Sequence, residues 1–389
     1  MSSRGSAELV RPLTRAELER LAASLPYQRI RDTPLHPYYT NWKAFEGAQT
    51  LPWAPEPVEP ELPRAKASLR LDPQGLHVDA AQRGLEVARI SPEDVREWGM
   101  PVDGKLDAVH ALRWGVGARL VFTETPEEAV VLEALGGRGY SGYHIEAQVA
   151  PGVSGRLVFI TYTPREGITT ITLKAELSPG AGLELSTVNL GGGAVYVRRL
   201  VIVEDEASYT SRIASLGGVM VHDREDVYLI GRRAKAEVKA SLSSVEGEKL
   251  DSIQNIIARG PEAEGSASAR GIVNGRGYLV SRGLGRVEAT GRGSKISYES
   301  YVIVMDDGGK GYSVPMLEVD TGDILDARHS TAVLAPPEEE VFYLRQRGLS
   351  PREVRYLLTL STLEYSGALE ASGIKAAQLA EHLIKSVSG

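Results

Sequence analysis

The stretch from Ile324 to Val333, ILDARHSTAV, sets one histidine, His329, three residues after Asp326 and six after Asp323. Imidazole is a good ligand for iron or zinc and titrates near neutral pH, so these residues could hold a metal or carry a proton. One histidine with carboxylates on a short local stretch is equally the signature of a hydrogen-bonded polar corner, and residue chemistry alone leaves both readings open. The other histidines, His36, His77, His110, His144, His222 and His382, stand apart without metal-ligand spacing and read as structural or solvated. Neither H-E-x-x-H nor G-x-S-x-G occurs, so no zinc-hydrolase helix or nucleophile elbow is present. The chain has no cysteine. That removes disulfides, thiolate catalysis and every sulfur-ligated metal site made by this chain alone.

Two denser patterns lie upstream. Three units with G-x-G recur at an eight-residue step, Asn274 to Ser281, Arg282 to Ala289 and Thr290 to Ser297. Glycine permits sharp corners, so the spacing predicts short stacked strands, as in a β-helix. None of the units completes a phosphate-binding loop, and no nucleotide site is visible. Arg270, Arg276, Arg282, Arg286, Arg292 and Lys295 make a local basic density that could meet a polyanion. Glu288 and Glu299 interrupt it, and Tyr278 is its one stacking ring, so the run reads as a solvated or protein-facing surface, with no nucleic acid expected.

The elements that must position these residues follow from composition and pattern. With 389 residues, 42% hydrophobic and 24% charged, and a net charge of -7, the chain is expected to fold as two or three domains. No signal-peptide core and no apolar run of membrane length is seen, so cytoplasm is the expected location and no membrane contact is expected. Residues 1–115 read as a mixed, partly helical N-terminal region. Thr14 and Glu17 form a capping box ahead of a helix of about ten residues. Pro26, Pro34 and Pro37 break regularity, and residues 52–63 read as a proline-rich extended linker. Ser91-Pro92-Glu93-Asp94 and Thr125-Pro126-Glu127-Glu128 look like further helix starts.

Residues 116–335 read as an all-β core of short apolar runs between turn residues, with apolar spacing of helical type only at 125–135 and 250–258. Residues 336–389 read as a small helical domain. One helix begins at Pro336-Pro337-Glu338 and stops at Gly348, a second starts at the Ser350 to Glu353 capping box, and a third occupies 374–386.

The run from Ser313 to Leu358 resembles the C-terminal signature of the SufB/SufD family, the scaffold subunits of the SUF iron-sulfur cluster assembly complex. The matching positions are Pro315, Leu317, Glu318, Val319, His329, Glu338, Phe342, Tyr343, Leu344, Arg347, Gly348 and Leu349. Weaker likeness extends over RGIVNGRGYLVSRG, the DAVHALRWGVGARLVFTETPEEAVVLEAL lead-in and LPYQRIRDTPLHPYYTNW, the last similar to the SufD branch. The resemblance implies a mainly β chain whose core is a right-handed parallel β-helix. It also implies a non-catalytic, SufD-like subunit that pairs through that core with a SufB-like paralogue, or with a second copy of itself. A SufC-type ABC ATPase, which carries out the ATP hydrolysis, would dock on residues 336–389, around Phe342, Tyr343, Arg347 and Gly348. His329 becomes the expected ligand, for iron or for a cluster held transiently and shared with the partner. Tyr301 stands where the SufB branch carries a cysteine and Ser330 where it carries a glutamate, so the sulfur must come from elsewhere. The alternatives are a β-helix enzyme acting on carbohydrate and a structural or RNA-binding solenoid.

Overall fold

The computed structural model describes residues 10–33, 38–61, 66–80, 82–336 and 338–387; His36 and Pro337 lie outside the described residues. Helix α1 (Arg15–Ser24) begins where the capping box predicts. The Thr14 amide donates to the Glu17 carboxylate at 2.9 Å, and the Glu17 amide donates to the Thr14 hydroxyl at 3.4 Å. A 3-10 helix (Trp42–Gln49) follows, then the hairpin β1 (Leu69–Asp72) and β2 (Gly75–Val78), strand β3 (Leu85–Ile90) and helix α2 (Lys105–Arg113).

From here the chain coils. One wall is built from β4 (Val116–Phe122), β6 (Gly139–Val149), the second halves of β7 (Ser154–Leu177) and β8 (Gly182–Val203), β10 (Gly218–Leu229), β12 (Lys249–Ala258), β14 (Tyr278–Val287) and β16 (Lys310–Val319). The other wall takes β5 (Val130–Leu135), the first halves of β7 and β8, β9 (Ser208–Leu216), β11 (Lys235–Ser244), β13 (Glu264–Val273), β15 (Ser294–Val304) and β17 (Ile324–Leu334). Both walls are parallel, and successive strands alternate between them, so one turn of this β-solenoid uses about thirty residues.

Alternation along each strand sends every second side chain inward, and parallel register stacks like upon like. Val221, Leu250 and Leu279 form one such file, and Val238, Ala267 and Tyr298 another. The interior also takes charge. Arg199 is fully buried and donates to Asp223 and Glu225, each at 2.6 Å. Removing Arg199 would leave two buried carboxylates without their cation.

The eight-residue repeat is not the rung. Gly275 (φ 60) and Gly293 (φ 69) do make corners, but Gly283 and Gly285 lie inside β14. Gly283 is there because the ring of Tyr298 comes within 2.0 Å of where a Cβ would sit. A rung needs two strands and their corners, so the glycine step tracks only part of it.

The helical expectations at Ser91, at Thr125 with the stretch it opens, and at 250–258 fail. At Ser91, the amide and hydroxyl each donate to Asp94 at 2.7 Å, but the chain makes only a turn before Trp98 bridges Leu13. The Thr125 hydroxyl accepts from the Ser154 amide at 3.0 Å, and the apolar stretches at 125–135 and 250–258 become β5 and β12. Both strands are buried on both faces, which erases the period-two signal. The outer cover explains that burial. Phe45, Leu106 and Val109 pack on Tyr140, Tyr196 and Met220 of one wall. Leu363, Leu369, Leu379 and Leu383 pack on Val158, Ile160, Val188 and Ala214 of the other. These leucines belong to α4 (Pro351–Glu364), α5 (Ala368–Ala371) and α6 (Ala376–Val387), which follow α3 (Glu338–Gln346). The described part of the proline-rich stretch is extended but pinned, with Ala54 and Val58 donating to the carbonyls of Tyr140 (2.9 Å) and Gly136 (3.0 Å).

Under the N-terminal cover runs a buried relay. Tyr140 meets Thr170 (2.7 Å), Thr170 meets His110 (2.8 Å), His110 meets Thr172 (2.9 Å) and Thr172 meets His144 (2.7 Å). Glu146 continues it, 3.5 Å from His144 and 2.7 Å from Arg119. Burial, with His144 beside it, holds His110 well below the usual imidazole range. An unfolded chain therefore takes up a proton near pH 6.5 that the folded relay refuses, and stability falls as pH drops through that value. Trp98 and Trp114 lie against these rings. The denaturant midpoint seen by tryptophan fluorescence is expected to fall between pH 7 and pH 5, and His110→Gln to flatten the slope. A midpoint independent of pH in the native chain would remove the imidazole from this role.

Candidate functional site

β17 and β16 are the last strands of their walls, and each has a registered neighbour on one side only, β15 and β14. In β15 the residues Ile296, Tyr298, Ser300 and Val302 are buried and face the solenoid interior. Tyr298 pairs with His329, and Ser300 with Thr331. His329 thus continues an inward-facing file, yet it is exposed, because no further turn covers it. Beneath it, the Tyr298 hydroxyl lies 3.2 Å from the Ser281 hydroxyl, which accepts from Ser300 at 2.8 Å. Burial pushes the Tyr298 phenol up to about 12, so it stays a neutral hydrogen-bonding group behind the histidine.

The carboxylates that drew attention in the sequence do not join it. Asp326 sits on the opposite face of the strand with Arg328, 3.5 Å away, and Asp323 serves a corner, its carbonyl accepting from Gly293 at 2.8 Å. Among the described residues no three histidines or carboxylates gather as a metal site. His329 offers one nitrogen at a rim, and further ligands would have to arrive from across an interface.

Tyr301 and Ser330 also face away from His329. Their hydroxyls are 3.4 Å apart, and the Tyr301 ring lies under the Arg270 guanidinium at 4.3 Å. The same guanidinium lies 5.2 Å from the Tyr365 ring, which ties this spot to the C-terminal helices. Arg270, Tyr298 and Tyr365 are neighbours that sequence spacing did not reveal. Register sets Arg270 beside Tyr301 and Tyr298 beside His329, and the C-terminal helices bring Tyr365 to Arg270.

Around the rim, large apolar side chains stand in solvent: Met316, Val319, Leu325 (69% exposed), Val333 and Leu334. Free strand edges with exposed apolar residues are rare on an isolated protein, since unpaired backbone groups there are open to a further strand. A second apolar spot lies on α3, where Phe342 is 64% and Tyr343 55% exposed. Helix α3 leans on the body through Val341 and Leu344, which pack with Ile272, Val354 and Leu358, and this turns Phe342 and Tyr343 outward. Arg347 lies over the Tyr343 ring at 5.0 Å, and Gly348 (φ 91) ends the helix in a left-handed turn. The capping box of α4 closes with Ser350 donating to Glu353 at 2.7 Å.

The basic run is largely neutralised by the fold. Arg276 pairs with Glu246 (2.5 Å), Arg282 with Asp32 (2.7 Å) and Asp251, Arg286 with Asp320 (2.9 Å), and Lys295 with Glu264 (3.7 Å).

Residues 143–362, from β6 to α4, match the family model described as SUF system FeS cluster assembly, SufBD core domain. The chain is similar to an iron-sulfur cluster assembly SufBD family protein of Mycobacterium tuberculosis, 27% identical over 150 residues, covering 37% of this chain and 38% of the relative. It is also similar to one of Staphylococcus aureus, 21% identical over 228 residues, covering 58% of this chain and 47% of the relative. The alignments thus span less than half the length of these relatives.

Proposed function

The chain belongs to the SufBD family of iron-sulfur cluster assembly proteins, and from that premise we propose that it is a cysteine-free, SufD-like subunit that completes a cluster-building interface with a SufB-like partner. The observation that carries this reading is His329, an imidazole held at the uncovered last turn of the solenoid inside a rim of exposed apolar residues. The nascent cluster is cargo, not a resident cofactor. Its sulfur ligands come from the partner, because this chain has no thiol. A second copy of the chain would double the imidazole and still supply no sulfur, which favours a heteromeric pairing.

In this reading the two subunits join β17 and β16 to the partner's last strands, and the apolar rim seals the contact from water. A cytoplasmic SufC-type ABC ATPase docks on α3 and hydrolyses ATP, and the motion it imposes opens and closes the interface around His329. The chain itself carries out no bond-making step. Arg276, Arg282 and Arg286 of the run that suggested an RNA-binding solenoid are taken up in ion pairs, which weakens that reading.

The test is assembly. Co-expression with a SufB-like and a SufC-type protein is expected to give a complex that carries iron and sulfide. Burying one leucine or valine contributes about 1.5–3 kcal/mol, so Leu325→Lys with Val333→Lys is expected to weaken pairing by about 100-fold or more. Both side chains are already in solvent, so the variant stays folded. Unchanged pairing in light scattering would show that the last turn is not the interface.

A further inference from the structure

A cavity of about 670 Å³ lies between residues 38–46 and the outer wall at the starts of β12, β14 and β16. Tyr38, Trp42 and Tyr312 give it aromatic faces, and Lys43, Lys249 and Lys310 give it charge. The protein is acidic overall, yet this cavity holds three lysines against one carboxylate, Glu46. None of the three forms an ion pair with a described carboxylate, whereas Arg282 close by is held between two.

Register explains the arrangement. Lys249, Tyr278 and Lys310 stack in one file across β12, β14 and β16, so two cations flank an aromatic ring on consecutive turns. The opposing segment is tethered. The Tyr278 hydroxyl donates to the Tyr39 carbonyl at 3.2 Å, the Thr40 hydroxyl donates to Asp251 at 2.5 Å, and Asp32 accepts from both the Tyr39 amide and Arg282 at 2.7 Å. The cavity is therefore formed before any ligand arrives, and its volume is that of a small-molecule site.

We infer that this cavity binds a nucleoside diphosphate or a closely similar planar aromatic anion. Flat rings stack on tyrosine and tryptophan faces, and lysine ammonium groups meet phosphate oxygens as point charges. The sequence offered no phosphate loop because the three lysines come from three separate segments. This inference stands on the cavity alone and does not depend on the role given to His329.

Calorimetric titration of the full chain with ADP and with UDP tests it, alongside adenosine, inorganic pyrophosphate and a ten-nucleotide single strand. At least one diphosphate is expected to bind, with adenosine and pyrophosphate each weaker by about tenfold or more, since each offers only half the contacts. Lys310→Glu changes an exposed side chain and is expected to weaken binding by about tenfold or more, as is Tyr312→Ala. Melting temperatures identify any loss due to unfolding, and Lys310→Glu alone then decides the matter. Absence of binding by both diphosphates overturns the inference, as does binding indifferent to Lys310→Glu. Tighter binding of the single strand than of either diphosphate also overturns it, in favour of an extended polyanion groove.

Discussion

His329→Ala is expected to leave the solenoid folded and the subunits paired, while iron and sulfide bound per complex fall at least about tenfold, the scale on which changes at metal sites act. The imidazole is exposed and fills no core space, so its loss costs well under about 1 kcal/mol of stability. Beneath it, Tyr298, Ser281 and Ser300 remain hydrogen-bonded to one another and need no new partner. Any loss of cluster must then be chemical. His329→Gln separates two roles, because glutamine retains hydrogen bonding but neither titrates nor ligates iron as imidazole does. Equal cluster content in the native and His329→Ala complexes would end the ligand reading and leave the pairing surface untouched.

Phe342→Asp with Tyr343→Asp is expected to abolish co-purification of the ABC ATPase at unchanged melting temperature. No residue of α3 is buried, so two charges on its outer side cost the fold little. At an interface, aromatic anchors contribute about 2–4 kcal/mol each, so their joint loss weakens docking by about 100-fold or more. This pair of substitutions is a cleaner probe than deleting residues 336–389, which would also strip Leu363, Leu369, Leu379 and Leu383 from the wall they cover. Full retention of the ATPase by the double variant would place its dock elsewhere.

The sequence carried the β core, the capping boxes at Thr14 and Ser350, the left-handed stop at Gly348 and the motif around His329. It misplaced β5 and β12 as helical stretches and took the glycine step for a rung. In each failure a partner distant in the chain overrides a local pattern: a covering helix hides the period of a strand, and the Tyr298 ring demands Gly283. The acids that neutralise much of the arginine run were hidden for the same reason, since they lie mostly about a turn away along the chain.

What the sequence determined by itself is what neighbouring residues settle among themselves. A capping box joins donor and acceptor within four residues, and the absence of cysteine fixes that no thiolate comes from this chain. Only the tertiary structure decided that His329 follows the buried file of Tyr298 and emerges at an open rim, that Asp326 and Ser330 turn away from it, and that Lys249 and Lys310 flank Tyr278. A solenoid brings together residues about thirty positions apart, and a shift of one residue in register would send each of these side chains to the other face.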